Sequence, residues 1–172
     1  MTAGGSPPVL TDAADPASRA LTDLEQLLRR LSDADLHRAD TEGGWTVAQT
    51  VSHIHLCGLL WIADLEWFRR KQDGFLYREE LGHDAVGAPP PSVAEAGDRI
   101  ASARTALEQC LPAVDPAVLD KVVEIPTLGT MTVAEWMPLV VGHIGAHCDQ
   151  IKAILTARGV VPAAESTAAA ST

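Results

Sequence analysis

One local signal recurs three times along the chain and constrains most of what it can fold into. The segments "TVAQ" at 46–49, "SVAE" at 92–95 and "TVAE" at 132–135 each place a hydroxyl residue three positions ahead of Gln or Glu. This is the pattern of a helix capping box. The hydroxyl accepts from the backbone N–H three residues on, and the longer side chain reaches back to the N–H of the cap. Each box opens a long segment with apolar residues at helical spacing. Helices are therefore predicted from Thr46 to about Arg70, from Ser92 to about Leu111, and from Thr132 to near Gly159, a residue suited to a left-handed terminus.

A further helix, the first in the chain, is predicted from "DPASRALTDLEQLLRRL", with Asp15 as its cap and Pro16 at the first helical position. Leu21, Leu24, Leu27, Leu28 and Leu31 then form its apolar stripe. Residues 1–14 and 161–172 include "TAGGSPP" and "AAESTAAAST", with too little apolar surface to offset the entropy of ordering. They are expected to be disordered tails around one domain spanning 15–160. The expected fold class is all-α, a four-helix bundle with long crossover connections. Within those connections "KVVEIPT" is β-branched enough for a short strand or hairpin arm, with Pro126 keeping it at an edge. Pro138, six residues past Thr132, is expected to kink or restart the last helix.

Charge and cysteine usage narrow the classes of partner. A net charge of −10 without a basic stripe leaves nothing to neutralise phosphates, so no nucleic acid is expected. No apolar run approaches the roughly 20 residues of a membrane span, and "MTAGGSPPVL" lacks the features of a secretory leader. Cys57, Cys110 and Cys148 are an odd number without CxxC spacing, which suits a reducing compartment. A cytoplasmic protein acting on a small-molecule substrate is the expectation.

The chemistry-bearing residues are histidines. In "LVVGHIGAHCDQI", His143 and His147 are four apart, so both imidazoles project from one helix face towards one ion. The HExxH zinc helix uses the same geometry, but Ile144 follows His143 and the glutamate base of that motif is absent. No Glu-x-x-His pair appears either, so a di-iron bundle site is not indicated. A site here would hold one ion and need another protein ligand. Counted from their capping residues, His53 lies seven positions into its helix, and His143 and His147 lie eleven and fifteen into theirs. At about 100° per residue these offsets fall near −20°, +20° and +60°, one stripe, whereas His55 points about 180° away. If the two "TVA" helices present comparable faces to the bundle centre, His53 meets the pair and His55 does not.

Each of these residues also has a plainer role. A histidine on an apolar face is more often core than ligand, and His37 and His83 lie in polar segments that suit solvated side chains. Cys57, four residues after His53, either faces the site or is a small buried core residue, the commoner case. Gln150 shares the histidine stripe and can orient a ligand or substrate, or simply face solvent. Trp61, Trp67 and Trp136 can line a pocket, although tryptophans in bundles more often pack the core.

The segments "GGWTVAQTVSHI" and "GTMTVAEWMPLVVGHIGAHCDQI" resemble the DinB/YfiT-like superfamily of metalloenzymes. Trp45 and His53 match its tryptophan-led box with a histidine eight residues on, and His143, His147 and Gln150 match its late H-x-x-x-H-x-x-Q helix. The resemblance extends over nearly the whole chain, including "PPSVAEA". Cys148 departs from it, since many members carry histidine or a polar residue there. The resemblance implies a four-helix bundle, often a homodimer, in which His53, His143 and His147 bind a divalent metal ion, zinc or nickel. It also implies transfer of a low-molecular-weight thiol cosubstrate of the mycothiol, bacillithiol or glutathione type to an electrophilic substrate, or a related isomerisation. The contrasting expectation is a non-catalytic metal- or small-molecule-binding bundle in stress or regulation.

Overall fold

A computed structural model describes residues 8–39, 41, 44–70, 75–77 and 87–160. Four long helices dominate: α1 Pro8–Leu28, α2 Val47–Arg70, α3 Val93–Cys110 and α4 Val133–Ala157. Helix α1 packs against α3 and α4, while α2 packs against α3 and, more sparsely, against α4. Thus α1 and α2 occupy one diagonal of the bundle and α3 and α4 the other. The α1–α2 and α3–α4 connections must therefore cross the bundle, whereas α2 and α3 are neighbours. No helix among the described residues is long and apolar enough to cross a membrane.

The stripe read from α1 is the one the bundle buries. Leu21, Leu24 and Leu28 have no exposed surface and face Ile100 and Leu107 of α3 and Ile144, Ile151 and Ile154 of α4 in one core cluster. Each such aliphatic side chain contributes roughly 1.5–3 kcal/mol on leaving water. Helix α1 begins at Pro8, not at Asp15, so residues 8–14 of the expected tail are helical and Pro16 lies inside the helix. Pro8 itself suits the first turn, and Ala13 and Ala14 are strong helix formers. An interior proline forfeits one helical N–H bond, yet α1 continues through Pro16 to Ala17, Leu21 and Leu24, which are buried. The remainder of both expected tails, residues 1–7 and 161–172, lies outside the described residues.

Two of the three capping boxes close fully. Thr46 N–H donates to Gln49 Oε1 at 2.8 Å, and Gln49 N–H to Thr46 Oγ1 at 3.2 Å. Thr132 N–H donates to Glu135 Oε2 at 2.8 Å, and Glu135 N–H to Thr132 Oγ1 at 3.3 Å. The box at Ser92 is half made. Ser92 Oγ accepts from Glu95 N–H, but the Glu95 carboxylate pairs with Arg99 one turn on, and Asp33 Oδ1 accepts from Val93 N–H at 2.8 Å. Helix α4 runs unbroken through Pro138, so no restart occurs. Pro138, the sixth helical residue, forfeits the one N–H bond it would have made to the Ala134 carbonyl.

The α3–α4 crossover carries a β-hairpin, one arm of which the sequence marked, and a strand from the α2–α3 connection extends it into a small sheet. Its strands are β1 Phe75–Tyr77, β2 Val122–Ile125 and β3 Gly129–Thr132 in the order β1-β2-β3. Strand β2 runs parallel to β1 and antiparallel to β3, with Val122 opposite Thr132 and Ile125 opposite Gly129. "KVVEIPT" therefore forms the central strand, not an edge. Pro126 falls one residue beyond it, where its missing N–H removes no ladder bond. Gly129 adopts φ 83°, a left-handed conformation that closes the hairpin. The hairpin ends on Thr132, the α4 cap, and nearby carbonyls take the first helical N–H groups: Val133 donates to Lys121 at 2.8 Å and Ala134 to Leu119 at 3.0 Å.

The α1–α2 crossover is anchored by a short 3-10 turn, Asp33–His37, that buries Asp35 and Leu36. Asp35 accepts from Ser32 N–H at 2.9 Å, Ser32 Oγ at 2.7 Å and Arg38 Nε at 2.7 Å. These bonds, the Ser32 backbone bond foremost, lower its pKa to about 2. A carboxylate depressed in the folded state stabilises the fold above its unfolded pKa and loses that contribution as pH falls through the folded value. Asp35→Asn is expected to lower Tm at pH 7. The gap from the parent should begin to close below about pH 4 and be gone near pH 2, as read by circular dichroism melts. A gap independent of pH would assign the loss to packing.

Candidate metal centre

Helices α2 and α4 lie antiparallel, as their end contacts require. Ala39 and Thr46 form an isolated antiparallel bridge just before α2, and Arg158, at the end of α4, donates from Nε and Nη2 to the Ala39 carbonyl at 3.1 and 2.9 Å. Ring contacts follow the same register. Trp45 stacks on His147 with centroids 5.7 Å apart, His53 meets both α4 histidines, and Trp61 lies edge-on to His143 at 5.8 Å. The equivalence of the two "TVA" helix faces, assumed from the sequence, therefore brings the expected side chains together.

The three imidazoles make a compact group. Ring centroids are 5.2 Å apart for His53 and His143, 4.6 Å for His53 and His147, and 4.5 Å for His143 and His147. The Nε2 atoms of His53 and His143 are only 3.0 Å apart. His53 is buried, His147 half-buried and His143 exposed, so the group opens to solvent on the α4 side. A Cβ built on Gly142 or Gly145, flanking His143, meets nothing within 4 Å. Partial burial, then the adjacent His147, hold the His143 imidazole below its ordinary pKa, which favours the neutral ring that a metal requires.

Gln150 fixes the third ring. Its Oε1 lies 2.9 Å from His147 Nδ1, a contact that orients the ring. Of the alternatives weighed for Gln150, orientation of a ligand residue is the one its contact matches. Cys57 also reaches the group, with Sγ 3.4 Å from His53 Nε2. Donor atoms of His53, Cys57 and His143 all lie within 4.8 Å of one another, and this set holds Cys57 where the sequence led us to expect His147, whose ring centroid is nonetheless 4.6 Å from that of His53 and 4.5 Å from that of His143. Two imidazole nitrogens on one tetrahedral zinc, each about 2.0–2.1 Å from it, would stand roughly 3.4 Å apart. The observed separation thus needs only a small adjustment to share an ion. Nitrogen and sulfur donors suit zinc, nickel or cobalt better than magnesium or calcium.

The remaining candidates lie elsewhere. His55 turns to α3, where its Nδ1 is 3.1 Å from the Arg99 carbonyl oxygen. His37 is exposed on the 3-10 turn, and His83 lies outside the described residues. Trp136 is buried in the core, and Trp67 packs edge-on against Phe68. Cys148 has no exposed surface, and burial pushes its thiol up to about 12, leaving a protonated core residue. A separate cavity of about 470 Å³, lined by residues such as Glu66, Arg69, Gln109 and Cys110, includes none of these histidines. Sequence reasoning weighed Trp61 as a pocket-lining residue, which its contact with His143 matches, and did not give Trp45 that role. Both lie eight residues from His53, about two turns along the helix direction, and that spacing was readable.

Comparison with known proteins follows the same lines. The DinB superfamily pattern matches residues 17–151. Among solved structures, YfiT from Bacillus subtilis, described as a probable metal-dependent hydrolase with an unusual four-helix bundle topology, superposes with a TM-score of 0.72 at 16% identity. That match covers 88% of this chain and 89% of YfiT. A DinB-like protein from Bacillus cereus gives a TM-score of 0.59 at 17% identity, covering 83% of this chain and 87% of the other. No curated protein matches the sequence.

The Gln150 contact carries its own test. Removing the acceptor that orients His147 is expected to weaken binding of Zn²⁺ about 10–100-fold in Gln150→Ala, measured by competition with a chromophoric chelator. An unchanged affinity would leave Gln150 as a surface residue.

Proposed function

The chain belongs to the DinB superfamily, and from that premise we propose that it is a divalent-metal-dependent enzyme whose ion is held by His53, His143 and His147. The observation that supports the proposal is the meeting of three imidazole rings from two antiparallel helices, with the Nε2 atoms of His53 and His143 3.0 Å apart and Gln150 bonded to His147. A divalent ion held by neutral histidines supplies Lewis acidity, lowering the pKa of a bound water or thiol or polarising a carbonyl. The chain's own part is to place neutral donors, to keep one side of the group dry against α2, and to leave the His143 side open. Trp45 and Trp61 flank the group and offer flat apolar surface to the organic part of a substrate.

The nucleophile is a low-molecular-weight thiol, bound as thiolate and transferred to an electrophilic small molecule. The resemblance to thiol-dependent members of the superfamily supports this choice. The description of the Bacillus subtilis structure as a probable metal-dependent hydrolase supports a second reading, in which water takes the place of the thiol. Both readings use the same ligands and differ only in the species activated.

Elemental analysis of the purified protein is expected to find one divalent ion per chain. That ion should be lost in His53→Ala, His143→Ala and His147→Ala and retained in His55→Ala. Retention after His147→Ala would remove that residue from the ligand set. Incubating metal-loaded protein with mycothiol, bacillithiol or glutathione and monobromobimane should then give thiol-dependent turnover above the uncatalysed rate. Turnover of ester or amide substrates without any thiol would favour hydrolysis, and no turnover of either kind would leave a non-catalytic metal-binding bundle.

A further inference from the structure

We propose that Cys57 is a direct sulfur ligand of the same ion, so that the centre is a mixed histidine–cysteine site and not a purely histidine one. The inference rests on the metal reading above and concerns a residue that its three-histidine ligand set leaves out. Cys57 lies one turn beyond His53 on α2, so its side chain emerges on the same face. It is 5% exposed, and Sγ lies 3.4 Å from His53 Nε2 and 3.8 Å from Nδ1, over the ring and nearer Nε2. For a tetrahedral zinc with arms of about 2.3 Å to sulfur and 2.0–2.1 Å to nitrogen, the expected S···N separation is roughly 3.6 Å. The structure therefore already holds these two donors close to the spacing they need. The same Nε2 lies 3.0 Å from His143 Nε2, and all three donor atoms fall within 4.8 Å of one another.

Cys148 provides an internal comparison. It too is buried on a histidine-bearing helix, directly after His147, but it faces the aliphatic core and belongs to no group of convergent donors. Burial alone thus does not bring a thiol to the imidazoles in this bundle; the four-residue spacing from His53 does. Cys57 would hold a divalent ion as thiolate, its proton passing to solvent, beside the imidazoles of His53 and His143. A thiolate ligand also biases the site towards zinc, cobalt or nickel and away from manganese.

Cobalt(II) is the probe, because its spectrum reports nitrogen and sulfur ligation separately. Titrating the full-length protein with Co²⁺ is expected to give visible d–d bands together with a near-ultraviolet sulfur-to-cobalt charge-transfer band. In Cys57→Ser and Cys57→Ala the charge-transfer band should be lost while the d–d bands persist, and in Cys110→Ser and Cys148→Ala both should remain. Circular dichroism melts identify any variant that fails to fold, and the two Cys57 variants stand in for one another. A parent spectrum with d–d bands but no charge-transfer band, or a charge-transfer band surviving in both Cys57 variants, overturns the proposal and leaves the histidine site intact. Absence of any cobalt spectrum in the parent overturns the metal reading and this inference with it.

Discussion

Arg158 donates two hydrogen bonds to the Ala39 carbonyl, and through the Ala39–Thr46 bridge this ties the last turn of α4 to the residue that caps α2. The arrangement of the histidines depends on the register so fixed. Sliding one helix by a single turn along the other would move a side chain by about 5.4 Å, more than the 3.0 Å that separates the Nε2 atoms of His53 and His143. At the opposite end of α4, Thr132 closes its capping box while the Lys121 and Leu119 carbonyls take the first helical N–H groups. Both ends of α4 are thus held by backbone and capping bonds, and the core need only supply lateral packing.

That lateral packing is uneven, which suits a site. Helix α1 buries its leucine stripe fully between α3 and α4, whereas α2 and α4 meet more sparsely. Where hydrophobic contact is thinnest, the interface is made by imidazoles and indoles, groups that present flat surfaces and polar edges. Three imidazoles close together gain little apolar burial, and the exposure of His143 shows that this corner is not closed core. Such a corner costs the fold packing energy and in return provides convergent donors accessible from solvent.

Much of this was legible in the chain. The three boxes located α2, α3 and α4 to within a residue or two, because caps are local chemistry that needs no tertiary partner. The helical phase of His53, His143 and His147, and the exclusion of His55, followed from counting along each helix. The start of α1 was less legible. A cap-plus-proline signal at Asp15 is locally sound, but the helix begins a further turn and more upstream at Pro8 and passes through Pro16. The sheet was half legible: β-branched residues marked β2, while its central position depended on β1, which arrives from a connection distant in sequence.

The sequence by itself determined the helices, their apolar faces and the family, because capping, periodicity and motif spacing are properties of short segments. Only the tertiary structure decided which helices are diagonal, since similar stripes can pack in more than one order, and that α2 and α4 run side by side in opposite directions. Helical phase already set Cys57 on the histidine stripe and Cys148 about 100° round from His147; the tertiary structure decided what each meets, imidazole nitrogens for one and aliphatic core for the other. The physical reason is that a helix fixes the direction of a side chain relative to its own axis, while what lies in that direction is set by neighbours that long-range packing brings there.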